Sequence, residues 1–189
     1  MQLHLRTEGF IVLNLKPTKR ELVRSITLAG MLLAILFVQE QFLVLIPQFQ
    51  FTVVLVIVYA SIFPYKILIP LIAAYVLLDN IYMGTLNYLY FVPMMFAWVM
   101  LGVVARRIRH KDFYVQVILA IAFGFVYGWV YLPARMIEQG VGIFWLYLKM
   151  DLPFELMMAA SNLITMLMVY QPLRLSLERL IASEIKNVR

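Results

Sequence analysis

The sequence contains no cysteine and only two histidines, His4 and His110, which lie far apart along the chain. The missing thiols exclude disulfides, thiolate nucleophiles and cysteine metal sites, and two isolated histidines are a poor basis for a metal centre. We therefore expect neither a metal nor another cofactor. Charge is also scarce, because 14% of the residues are charged whereas soluble domains have about 25%. The composition favours a lipid environment.

Sequence motifs for chemistry are missing as well. The chain has no G-x-x-x-x-G-K-[ST] phosphate loop, no G-x-S-x-G elbow and no H-E-x-x-H zinc motif. Ser161 has no histidine in a neighbouring apolar segment that could activate it. We expect no enzymatic activity and no ATPase, although an intramembrane enzyme remains an alternative.

Apolar segments dominate what is present, since 64% of the residues are hydrophobic. A membrane-spanning helix needs about 20 mainly apolar residues, and we predict spans at 22–47, 49–63, 66–78, 86–104, 113–131 and 153–173. The second and third are short and share a turn at Phe63-Pro64-Tyr65, where proline stops the helix. The sequence predicts an all-α integral membrane protein: a six-helix transmembrane domain over 21–182, with a lead at 1–20 and a tail at 183–189.

The basic residues are distributed unevenly between the two sides of these spans. Every lysine and arginine except Arg135 and Lys149 falls on the side of the termini. The positive-inside rule then places both termini in the cytoplasm of a multi-pass plasma-membrane protein. The basic clusters indicate topology and contact with anionic lipid rather than nucleic-acid binding. The connection 133–152, with Gly140 and Gly142, is interpreted as a loop that is either an interfacial anchor or a lid.

Polar residues collect in the outer half of the predicted spans, where they are costly and therefore candidates for function. Glu40 could be a ligand contact or a carboxylate held by neighbouring glutamines. Arg135 could be an interfacial anchor or the counterpart of Glu40, and Asn162 could join two helices. The candidate substrate-binding residues are Glu40, Gln41, Gln50, Asn87, Tyr88, Trp129, Tyr131, Arg135, Glu155 and Asn162.

Small residues follow one face of the first predicted span. Ala29, Gly30 and Ala34 would let another helix approach closely. That helix could belong to the same bundle or to a separate membrane subunit.

The size, the predicted spans, the outer polar residues and the stretch Ala29-Gly30-Met31-Leu32-Leu33-Ala34 resemble the substrate-binding S component of energy-coupling factor vitamin transporters. The resemblance implies that the small-residue face docks a transmembrane coupling subunit, which carries two cytoplasmic ATPases. Gln39-Glu40-Gln41-Phe42 is similar to members assigned to hydroxymethylpyrimidine or vitamin B6 compounds, and pantothenate is the second candidate. A structural or assembly protein without a ligand remains an alternative.

Overall fold

The computed structural model describes residues 19–43, 49–84 and 86–186, and these residues form helices and short connections. The helices are α1 Lys19–Leu43, α2 Thr52–Ile62, α3 Tyr65–Tyr82, α4 Tyr88–Arg107, α5 Phe113–Val130, α6 Leu132–Gln139 and α7 Phe144–Lys186, with a 3-10 turn at Val141–Ile143 before α7. The predicted all-α class is therefore confirmed for the described residues. Residues 1–18, 44–48, 85 and 187–189 lie outside them, and with them most of the predicted lead, the end of the first predicted span and the end of the tail.

The long helices are apolar enough for a membrane. In the described residues, five helical stretches could cross one by length and composition, namely Ile26–Leu43, Tyr65–Tyr82, Tyr88–Arg107, Phe113–Gln139 and Val141–Leu180. They expose large apolar side chains such as Met31, Phe96 and Met168 on the outer surface of the bundle. A folded chain with this surface needs an apolar solvent.

The short helix α2 lies at the centre of the bundle. Residues 52–60 are all buried, and the helix packs against α4 and α7 and also touches α1, α3 and α5. Its 11 residues rise only about 17 Å. Because neighbours cover it on all sides, its continuous run of Val, Leu and Ile needs no polar face. The predicted turn that follows is confirmed, since α2 ends at Ile62 and Pro64 caps α3.

Side chains from other helices hold both ends of α2. The Gln39 amide of α1 donates to Thr52 Oγ1 at 2.7 Å and accepts from the Phe51 N–H at 3.0 Å. At the other end, Arg106 of α4 donates to the carbonyl oxygens of Ala60 and Ser61 at 3.1 and 3.2 Å. A cation there also suits the negative end of the helix dipole.

The prediction of a loop at 133–152 is wrong. Residues 132–139 form α6, and α7 begins at Phe144. Pro133 sits in the first turn of α6, where a missing N–H costs nothing. The break lies at Gly140, whose φ of 93° is readily available only to glycine.

Helix α7 is much longer than predicted. Its 43 residues extend roughly 64 Å, about twice the thickness of a hydrocarbon core. It continues beyond residue 173, where the last predicted span ends, as far as Lys186.

Candidate functional site

A cavity of about 330 Å³ opens at the end of the bundle that carries α6, which we call the α6 end. Four helices supply its walls: α4 through Tyr90, α5 through Tyr127, α6 through Arg135 and α7 through Asp151 and Glu155. The rest of the lining is apolar or small. Among the predicted site residues, the cavity brings together Tyr131, Arg135 and Glu155.

Two glycines of α5 shape the wall that faces α7. A Cβ on Gly124 would lie 2.7 Å from the backbone nitrogen of Ala159, and one on Gly128 would lie 2.7 Å from Glu155 Oε1. The two helices therefore touch at Gly124 without intervening side chains. Near Gly128 the space that a side chain would fill is taken by the Glu155 carboxylate.

Arg135 is already engaged by neighbouring groups. Its guanidinium donates to Asp151 Oδ1 at 3.3 Å and lies 4.7 Å from the ring centroid of Tyr147. The ion-pair partner of Arg135 among the described residues is therefore Asp151 and not Glu40. Arg135 instead joins α6 to the first turns of α7 and neutralises the charge of Asp151.

Glu155 differs from the other charged groups of the cavity. The residue is 4% exposed, and its Oε1 has no hydrogen-bond partner among the described residues. The Trp129 indole lies beside the same carboxyl group. A buried carboxylate oxygen without a hydrogen-bond partner is energetically costly. A hydrogen-bond donor of a ligand would therefore gain the most binding free energy at Glu155.

Tyrosines form the aromatic side of the cavity. Tyr131 donates to Tyr127 Oη at 3.1 Å, and the Tyr131 ring stacks on Tyr90 with centroids 6.3 Å apart. The Tyr90 hydroxyl donates to Glu138 on α6. These contacts fix the orientation of the rings, and they fasten α6 to α4.

Glu40 belongs to a neighbouring polar cluster and does not line the cavity. Its carboxylate accepts a hydrogen bond from Tyr75 of α3. The Gln41 amide lies near the Asp79 carboxyl, outside hydrogen-bond geometry. Tyr127, which lines the cavity, is within electrostatic range of both Glu40 and Asp79.

The remaining predicted site residues are spread over other positions. Asn87 caps α4 by accepting from the Leu89 N–H at 3.0 Å, and Tyr88 is 80% exposed. Asn162 is buried and donates to the Ala120 carbonyl at 2.8 Å, which joins α7 to α5.

Gln50 lies near α7, where its backbone N–H donates to Ser161 Oγ at 3.3 Å. None of Gln50, Asn87, Tyr88 and Asn162 lines the cavity.

The small-residue face of α1 lies away from the bundle. Gly30 and Ala34 are exposed, and a Cβ on Gly30 would meet nothing within 4 Å. Ala29 is half-buried. Within the described residues this face has no packing partner at Gly30, so the interpretation that it packs inside the same bundle is not supported.

Sequence reasoning missed several residues of the cavity, including Asp151 and the two glycines. Gly124-Phe125-Val126-Tyr127-Gly128 is a G-x-x-x-G pattern in an apolar helix, which signals close approach of another helix. That pattern could have placed α5 against α7.

In the part of the chain that the structure describes, no three His, Asp or Glu side chains are grouped as metal ligands. The chain matches no protein-family model, no curated protein and no solved structure.

Proposed function

We propose that the chain is a membrane-embedded capture subunit that binds a small water-soluble molecule at the α6 end, as the S component of an energy-coupling factor importer does. The transmembrane bundle comprises six helices, α1 to α5 and α7, in which the short α2 is enclosed by the longer ones, and both termini lie in the cytoplasm. The capture subunit works with a transmembrane coupling subunit and two cytoplasmic ATPases.

The cavity beside Glu155 is the observation that carries this proposal. Its volume of about 330 Å³ lies at the lower end of the ~300–1,000 Å³ range of ligand pockets. A few polar groups and several aromatic rings converge on it, while the surrounding helices are apolar. Such a combination is typical of sites for small ring compounds.

The charges of the cavity support one of the two vitamin classes suggested by the sequence. An anionic vitamin such as pantothenate needs a free cation, but Arg135 is paired with Asp151 and Lys149 is exposed. A hydroxymethylpyrimidine or pyridoxine-like compound can donate hydrogen bonds to Glu155 and stack on Tyr131. We therefore favour a hydroxymethylpyrimidine or pyridoxine-like compound over pantothenate.

Ligand binding can be measured on the purified protein by tryptophan fluorescence, since Trp129 lies beside Glu155 and Trp98 packs against Tyr127. Hydroxymethylpyrimidine, pyridoxine and pantothenate are titrated, and co-purified small molecules are identified by mass spectrometry. We expect Tyr131→Ala to weaken binding about fivefold, because an aromatic contact contributes ~1 kcal/mol.

Tyr88→Ala is the matched control, since Tyr88 is exposed and outside the cavity; its affinity should equal that of the unmodified protein. The absence of any bound or co-purified molecule at micromolar concentrations would favour a structural or assembly role.

A further inference from the structure

The charges around the cavity do not balance. Arg135 is taken up by Asp151 and by the Tyr147 ring, so the Glu155 carboxylate is left as the unmatched charge of the lining. Beyond the lining, Glu40 and Asp79 lie within electrostatic range of Tyr127. With Arg135 and Asp151 paired, the lining itself carries the negative charge of Glu155.

The aromatic groups of the lining also suit a cation. Tyr90, Tyr127 and Tyr131 line the cavity with Phe154 and Met158, and the negative faces of aromatic rings attract a positive charge. The tyrosine hydroxyls that lie nearest are already joined to one another or to Glu138. They leave Glu155 Oε1 as the strongest acceptor available to a ligand.

Resting on the proposed ligand-binding function, we propose that the cavity selects a small organic cation, with the Glu155 carboxylate as its counter-ion and the tyrosine rings around it. A hard metal ion does not fit this description, because calcium or magnesium needs about six oxygen ligands. One carboxylate with an unpaired oxygen, in a cavity of about 330 Å³, suits an ammonium group carried by a larger molecule.

Gly128 sets the position of the Glu155 carboxylate, on which the preference for a cation depends. It leaves room for the Glu155 carboxylate against α5, since a Cβ there would stand 2.7 Å from Oε1. Gly128→Ala therefore displaces the carboxylate but keeps its charge, whereas Glu155→Gln removes the charge and keeps the shape.

Two pairs of probes differ only in one ammonium group. Pyridoxamine is compared with pyridoxine, and 4-amino-5-aminomethyl-2-methylpyrimidine with its 5-hydroxymethyl counterpart. We expect the aminomethyl member of each pair to bind the unmodified protein about tenfold more tightly. Its ammonium group forms a charge-assisted hydrogen bond with Glu155, which is stronger than the neutral hydrogen bond of a hydroxyl group. Glu155→Gln should bind both members of a pair equally, and Gly128→Ala should show a reduced preference.

Glu178→Gln is the control variant, because Glu178 pairs with Arg174 far along α7 from the cavity; its preference should be unchanged. If the hydroxymethyl members bind as tightly as the aminomethyl members, the charge selection is wrong while the binding function stands. A preference retained in Glu155→Gln overturns the role of Glu155. If none of the four probes binds and mass spectrometry finds no ligand, both proposals fail. Should Glu155→Gln not fold, the comparison within each pair and the Gly128→Ala variant still decide.

Discussion

At the scale of single residues, glycine determines how close α5 and α7 lie. Gly124 faces backbone atoms of Ala159, which cannot move aside as a flexible side chain can. Gly30 is also inside a long helix, but open space surrounds it. The same residue type therefore has opposite structural roles on α5 and on α1.

Replacing Gly124 by alanine should lower the free energy of unfolding by about 1–3 kcal/mol, because the new methyl group overpacks the contact with α7. Gly30→Ala is the matched control and should be neutral or stabilising by up to about 1 kcal/mol, since alanine favours a helix. Thermal unfolding of both variants in the same detergent provides the measurement. Equal unfolding temperatures would contradict the close contact.

Some of the predicted site residues line the cavity and others do not. Glu155 and Arg135 were identified because a charge in an apolar segment is conspicuous, and both line the cavity. Tyr88 was included by its position near a helix start, yet it points to the surface. Hydropathy does not give the rotation of a helix, so residues one position apart could not be distinguished. Glu40 engages Tyr75, a partner from another helix that no local pattern could reveal.

At the scale of elements, α2 depends on its neighbours at both ends. Gln39 supplies an acceptor for the Phe51 N–H at its start, and Arg106 supplies donors for the carbonyl groups at its end. The first and last turns of a helix lack partners for their backbone groups. In a buried helix these backbone N–H and C=O groups cannot form hydrogen bonds with water instead.

Gln39→Leu should destabilise the protein by about 1–3 kcal/mol, because it leaves the buried start of α2 without its hydrogen bonds. Gln171→Leu changes an exposed glutamine of α7 in the same way and should have little effect. The two variants are compared by thermal unfolding in detergent. A Gln39→Leu protein as stable as the Gln171→Leu protein would show that the Gln39 contacts do not support α2.

The ends of α3, α4 and α5 could be predicted within a few residues, since runs of apolar residues and Pro64 mark them, but the ends of α7 could not. The failure at 133–152 has a specific cause. Gly140 and Gly142 suggested a continuous loop, but only Gly140 has a positive φ in the helical connection. Residues 132–139 contain Ala, Arg, Met, Glu and Gln, which favour a helix. The loop prediction gave more weight to Gly140 and Gly142 than to these helix-forming residues.

At the scale of the whole molecule, the bundle has two regions suited to different partners. The α6 end holds the cavity, while the exposed face with Gly30 and Ala34 runs along α1. If the first binds a ligand and the second docks a coupling subunit, changes in one region should leave the function of the other intact.

Ala34→Leu should reduce ligand uptake by cells at least several-fold, because a bulky side chain prevents close approach of another helix. Binding of ligand to the isolated variant should be unchanged. Ala160→Leu enlarges an exposed alanine of α7 and should support normal uptake. Normal uptake by Ala34→Leu would show that the docking face lies elsewhere.

The burial of α2 also has a consequence for biogenesis. During translation α2 is synthesised long before α7, although α7 packs directly against α2 in the folded protein. At about 17 Å, α2 is too short to cross a bilayer on its own. Its final surroundings therefore exist only after the C-terminal helix has been synthesised. Truncation of α7 should consequently leave α2 without part of its packing surface. Membrane quality control would then recognise the unpacked α2 before the protein could bind a ligand.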